Sequence, residues 1–122
     1  MPVTGPDFIS IQVRDLDAAA AFYEQHLGLR RSPAGPPHAV VFATRPITFA
    51  VRDLAPGADL DAGAQPGLGM ALWMQADDVQ AIHDRLVAAG TPIEVEPFDG
   101  PFGRTFTLVD PDGYRVTLHD RA

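Results

Sequence analysis

The chain contains no cysteine, which removes disulfides, thiolate nucleophiles and Cys-ligated metals together. Lysine is missing as well: all nine basic residues are arginine. A side-chain Schiff base is therefore excluded, and with it any lysine-anchored cofactor chemistry. A GC-rich coding bias accounts for Arg in place of Lys, and the chemical exclusion holds whatever the cause. Serine is scarce. Ser10 and Ser32 are the only serines, and neither lies in a Gly-x-Ser-x-Gly turn, which argues against a serine hydrolase. No apolar run approaches the ~20 residues of a membrane span, and the N-terminus lacks a basic-then-apolar signal pattern. A cytoplasmic location without membrane attachment is expected. With a net charge of -7 and a pI near 4.7 the chain lacks the basic stripe of a nucleic-acid binder.

What is present reads as one globular domain, residues 1–122, with 46% hydrophobic and 20% charged residues. The clearest local signal is a hairpin from Phe102 to His119. Pro111 suits the second position of a type I turn, Asp110 can accept at the first, and Gly113 fits the last. Phe106 and Leu108 alternate with Thr105, Thr107 and Val109; Val116 and Leu118 alternate with Arg115, Thr117 and His119. Such period-two patterns give a sheet with an apolar face, to be covered by a helix, and a polar one.

The same logic applies along the chain. Phe8 to Val13 alternates, with Ile9, Ile11 and Val13 opposite Phe8, Ser10 and Gln12. Asp15 is placed as a helix N-cap, Leu16 to Leu27 shows helical spacing, and Gly28 is placed to end the helix. After the Pro-rich stretch Ser32 to Pro37, strands are expected over Ala39–Ala43 and Ile47–Val51, with Arg45-Pro46 in the turn. Residues 55–68 read as a linker. Gly67-Leu-Gly69 is no phosphate loop, because no P-loop Lys follows. Beyond it comes a strand over Met70–Ala76, a cap at Asp77-Asp78, a helical stripe of Val79, Ile82, Leu86 and Ala89 ended by Gly90, a loop over Glu96–Gly103, and the hairpin. The two halves, residues 6–54 and 69–120, repeat with an offset of about 63 residues. Each is too small to bury its own sheet, so the two are expected to pair.

Val13-Arg-Asp-Leu16, Phe22-Tyr23, Leu27-Gly-Leu29, Phe102-Gly-Arg104 and Asp110-Pro-Asp-Gly113, in this order and spacing, resemble the vicinal oxygen chelate superfamily of glyoxalase I, extradiol dioxygenases, fosfomycin-resistance enzymes and bleomycin-resistance proteins. The resemblance spans roughly residues 6 to 120 and implies an α+β fold. Two paired βαβββ modules would form a cupped mixed sheet with helices on the outer face, in a homodimer. The positions that carry metal ligands in that superfamily's enzymes fall here on Phe8, Ala50, Ala71 and Thr117, none of which suits a divalent cation. No metal at the family site and no cofactor are expected. The remaining pattern, with Trp73 and Phe102-Gly-Arg-x-Phe106, resembles the bleomycin-resistance branch, which sequesters antibiotics.

Strand parity places Phe8, Ser10, Gln12, Thr48, Ala50, Trp73, Gln75, Arg115, Thr117 and His119 on the face away from the helices. Aromatic rings with a few amides, hydroxyls and one Arg make a small-molecule pocket. Ligand-binding residues are therefore expected at Phe8, Ser10, Gln12, Trp73, Gln75, Phe102, Arg115, Thr117 and His119. Trp73 would stack on a flat ligand; alternatively, Trp73 and Phe8 fill the cup or meet a second subunit. Phe98 and Phe102 on their loop would close over a ligand or pack on a partner chain. Arg104 is read as a solvated or dimer-rim residue rather than an anion contact. His26 and His83 are expected exposed; His38 and His119 are the only candidates for a non-family metal site. The leading function is reversible binding of a small, aromatic or hydrophobic molecule. The alternative is a lyase, isomerase or dioxygenase-type enzyme with an atypical or metal-free site, and a third reading is a structural partner.

Overall fold

The structure is a computed structural model that describes residues 2–121. The fold is α+β, with sheets of three and four strands and one helix following the first strand of each. It divides into two compact units, one ending at Asp59 and one starting at Leu60. Among the described residues no helix is long and apolar enough to cross a membrane.

The first unit runs β1 (Phe8–Val13), α1 (Leu16–Leu27), β2 (Ala39–Phe42) and β3 (Thr48–Asp53). The Asp15 carboxylate accepts from the Ala18 N–H at 3.1 Å, which satisfies an amide left without an intrahelical partner. At the other end Gly28 adopts φ 72°, and the Gly28 and Leu29 N–H groups converge on the Tyr23 carbonyl. Tyr23 packs on the rings of Phe42 and Phe49, with centroids at 6.1 and 5.2 Å. That contact fixes which face of the sheet meets the helix. β1 and β3 are parallel, β2 and β3 antiparallel, in the order β1-β3-β2. A further piece of edge strand is reduced to one bridge, Arg31 to Phe42, flanked by bonds from Ser32 N–H to Val41 O and Ala43 N–H to Arg30 O. Pro33 cannot donate to a ladder, so pairing stops there.

The second unit runs β4 (Leu72–Gln75), α2 (Val79–Ala88), β5 (Ile93–Gly100), β6 (Gly103–Val109) and β7 (Arg115–His119), in the order β4-β7-β6-β5. Asp78 caps α2 by accepting from Ala81 N–H. Gly90 at φ 85° lets its own N–H reach Val87 O while Thr91 N–H reaches Leu86 O, the paired bonds of a Schellman end. Topologically each unit is a first strand parallel to a last one, with the strands between them added outward. Both units run strand, helix, then further strands, two after α1 and three after α2.

The turn Asp110 to Gly113 behaves as its residues dictate. Asp110 is 4% exposed; its carbonyl accepts from Gly113 N–H, and its Oδ1 accepts from both Asp112 and Tyr114 N–H groups at 2.9 Å.

Several boundaries move. The strand expected at Ile47 begins at Thr48, because the Thr44 hydroxyl donates to the Ile47 carbonyl at 2.6 Å and holds it in the turn. The strand expected over Met70–Ala76 is limited to Leu72–Gln75; the Met70 N–H closes a turn on Gly67 O. The larger correction is β5. Glu96–Gly103, expected as a loop, is mostly strand, and Phe98 sits within it. Pro97 falls in the register shift between Val95 and Phe98, on the outer strand where a missing N–H is tolerated. His83 is also corrected: its side chain is only 12% exposed, lies edge-on to Phe106 at 5.2 Å, and bonds Asp84 and Glu96.

Gly103 has φ 86°, and a Cβ there would collide with Asp120 Oδ1, the acceptor of the Arg104 N–H. Gly103→Ala is expected to lose about 2–3 kcal/mol in denaturant titration, from the left-handed backbone and the displaced bond. Gly63→Ala, with open space around it, should stay within about 0.5 kcal/mol. The Asp84 carboxyl is held below its ordinary value, first by the hydrogen bond to His83 and then by that from Gln80. With the folded value depressed, its contribution is present above the unfolded pKa of about 3.9 and lost as pH falls through the folded value. Asp84→Asn should flatten the acid side of a Tm-against-pH profile; an unchanged slope would mean that these bonds are not made in solution.

Candidate functional site

The sheet faces turned away from the helices carry the residues that parity assigned to them. In the first unit Phe8, Ser10 and Gln12 pair in register with Thr48, Ala50 and Arg52. Phe8 and Ser10 are exposed. Gln12 is engaged: its Oε1 accepts from Ala55 N–H at 2.7 Å, tying the chain after β3 back to β1.

In the second unit two rows cross the sheet. Trp73, Thr117, Thr107 and Val95 form one; Gln75, His119, Thr105 and Phe98 form the other. At the edge of these rows the rings of Trp73, Phe102 and His119 come together. Centroid distances are 5.5 Å for Trp73–Phe102, 5.4 Å for Trp73–His119 and 6.1 Å for Phe102–His119. Phe102 stands edge to face with Trp73 and His119, at 77° and 76°, the arrangement aromatic quadrupoles favour, and Trp73 is tilted 58° to His119. Trp73 remains 45% and Phe102 48% exposed. Phe102 is held there by its backbone. It occupies the tip of the β5–β6 hairpin, its carbonyl accepts from Arg121 N–H at 3.0 Å, and Asp120 takes the Arg104 N–H.

The polar residues divide into engaged and available. The Thr107 and Thr117 hydroxyls bond each other at 2.8 Å, and Arg115 spends Nε on Glu94 and one terminal nitrogen on the Gly113 carbonyl. Arg104 likewise reaches Gln80 and Asp99. Gln75 is exposed, and among the described residues its amide has no partner. His119 Nδ1 lies 2.8 Å from the Arg121 carbonyl oxygen. A carbonyl can only accept, so Nδ1 carries the proton and, in the neutral ring, Nε2 is left with its lone pair outward.

Thus the structure brings Trp73, Gln75, Phe102, Thr117 and His119 to one face of the second sheet, with Arg115 at its end. Phe8, Ser10 and Gln12 belong to the first. Val95 and Phe98 are exposed on the same face as Trp73; Phe98, expected on a closing loop, stands instead on β5, and Val95 was not singled out because β5 was not recognised as a strand. The Phe98 ring lies over Gly100, where a Cβ would meet it.

The positions where the superfamily's metal ligands would fall do not fit a divalent cation. Phe8, Ala50 and Ala71 offer carbon only, and the Thr117 hydroxyl is bonded to Thr107. His38, at φ 65°, bonds Asp53. Among the described residues no three His, Cys, Asp or Glu side chains gather as a metal set.

Similar solved structures share this fold over nearly their whole length. TnmS3, an antibiotic binding protein from Streptomyces sp. CB03234, is 24% identical and covers 100% of this chain and 99% of its own, with a TM-score of 0.73; at that identity the likeness concerns the fold. A glyoxalase/bleomycin resistance protein from the same Streptomyces is 26% identical, with 95% and 100% covered and a TM-score of 0.73. Lactoylglutathione lyase from Agrobacterium tumefaciens is 25% identical, with 98% and 96% covered and a TM-score of 0.68. Among curated proteins none matches the chain. The model of one family matches residues 5–118, nearly all of the sequence. The chain belongs to the Glyoxalase/Bleomycin resistance protein/Dioxygenase superfamily.

Proposed function

We propose that this protein reversibly binds a small, flat, aromatic molecule on the open face of the second sheet and returns it unchanged. One observation carries the reading: the rings of Trp73, Phe102 and His119 meet in one corner while two of them stay about half exposed. Large rings left open to water are costly, and a rigid aromatic corner gains most from a planar guest. The polar groups nearby are largely engaged with each other, which suits recognition by shape more than attack on a substrate. A relative in the same superfamily is named for bleomycin resistance, and the fold also serves an antibiotic binding protein. Sequestration of an antibiotic in the cytoplasm is the physiological form of this reading, with a homodimer as the assembly that sedimentation would detect. A monomer at micromolar concentration would remove the dimer from it.

A second reading has one observation of its own. His119 is oriented by a carbonyl at Nδ1 with Nε2 open, as a general base is, and a lactoylglutathione lyase shares the fold. Turnover separates the two. Trp73 is the sole tryptophan, so its emission reports on this face alone. Titration with polycyclic aromatic and bleomycin-like compounds should give saturable quenching, with the compound recovered intact by mass spectrometry. Phe102→Ala should weaken binding by about 1–2 kcal/mol, roughly five- to thirty-fold. Arg115→Ala should leave affinity unchanged, because its guanidinium is already bonded within the protein. A modified product would move the lyase-like reading ahead; absence of quenching by every compound would end the binding one.

A further inference from the structure

Resting on the aromatic-binding reading, we infer that the ligand carries a hydrogen-bond donor, a phenolic O–H or a ring N–H, at one edge of its flat ring system, and that His119 Nε2 accepts from it. The inference starts from the tautomer. The Arg121 carbonyl fixes the proton on Nδ1 at 2.8 Å, so the neutral ring presents a lone pair at the opposite nitrogen. That nitrogen has no partner among the described residues, and the ring carrying it forms one side of the aromatic corner, 5.4 Å from Trp73 and 6.1 Å from Phe102. A planar guest lying on these rings therefore meets, at its edge, an acceptor and not a donor. The other polar groups on this face do not compete for that role. The Thr107 and Thr117 hydroxyls satisfy each other, Thr105 donates to the Gly103 carbonyl, and Arg115 is held by Glu94 and Gly113. The exception is the Gln75 amide. It stands beside His119 in register and can serve a second polar group on the same edge.

A site that leaves a desolvated acceptor unpaired discriminates against a guest lacking the donor more strongly than a hydrophobic pocket discriminates by size. The geometry also assigns the positioning part. The C-terminal segment both orients His119 through the Arg121 carbonyl and holds Phe102 through the Arg121 N–H. One stretch of backbone thus sets the acceptor and the ring at a fixed separation.

The experiment is calorimetric titration of the full chain with a matched pair, 2-naphthol and 2-methoxynaphthalene, which share a ring and differ in the donor. 2-Naphthol is expected to bind about ten-fold more tightly. In His119→Phe the affinity ratio of the two compounds should fall towards one. Equal affinity of the two compounds for the unaltered protein overturns the inference and leaves the aromatic-binding reading standing. Binding of neither compound overturns both. Should His119→Phe fail to fold, long-range proton–nitrogen correlation on the unaltered protein decides the matter. His119 Nε2 is expected among unprotonated ring nitrogens and to shift on addition of 2-naphthol; a protonated Nε2 at neutral pH overturns the assignment.

Discussion

The second sheet depends on one carboxylate oxygen. Asp110 Oδ1 accepts two backbone N–H groups across the turn, from Asp112 and Tyr114, and it does so buried, where an unpaired carboxylate would be costly. These bonds fix where β6 stops and β7 starts. From that point the ladder sets Thr107 opposite Thr117 and Thr105 opposite His119. The parallel pairing of β4 onto β7 then brings Trp73 beside Thr117 and Gln75 beside His119. A slip of one residue at the turn would send Thr117 and His119 to the helix side and bring Val116 and Leu118 to the open face. The aromatic corner would not form.

Much of this was legible in the sequence because the signals were local. Asp15 with Gly28, and Asp78 with Gly90, mark both helices by capping chemistry that needs no tertiary information. Alternation in Phe8–Val13 and Arg115–His119 assigns faces, and the register confirms which residues share them. What was not legible is non-local. β5 is a strand because β6 offers a ladder, and Pro97 with three acidic residues nearby hides its period. His83 reads as a surface helix residue until β5 brings Glu96 and β6 brings Phe106 against it. Of the polar residues assigned by parity, Gln12 and Arg115 turned out to be engaged with partners 43 and 21 positions away. Parity gives a face, but not how a side chain on that face is already committed.

The two units share a topology and use their aromatic residues in opposite ways. In the first, Tyr23, Phe42 and Phe49 are gathered between the helix and the sheet, each buried. In the second, the helix side is served mainly by Phe106, Leu108 and Leu86, while Trp73, Phe98 and Phe102 are exposed on the other face. The first unit thus buries most of its rings, with Phe8 exposed on the far face, whereas the second leaves Trp73, Phe98 and Phe102 exposed.

Exposed rings beside an unpaired strand edge favour sheet-to-sheet association. The outer strand β5 carries the countermeasures along its length. Glu94, Glu96 and Asp99 give it negative charge, Pro97 withholds an N–H, and the shifts in register on either side of Val95 bend the edge away from a straight template. Strand β4, at the other margin, is only four residues long. The edges are thus poor partners for another strand. What reads in the sequence as a loop is thus an edge strand whose charge, proline and broken register make it a poor template for another strand.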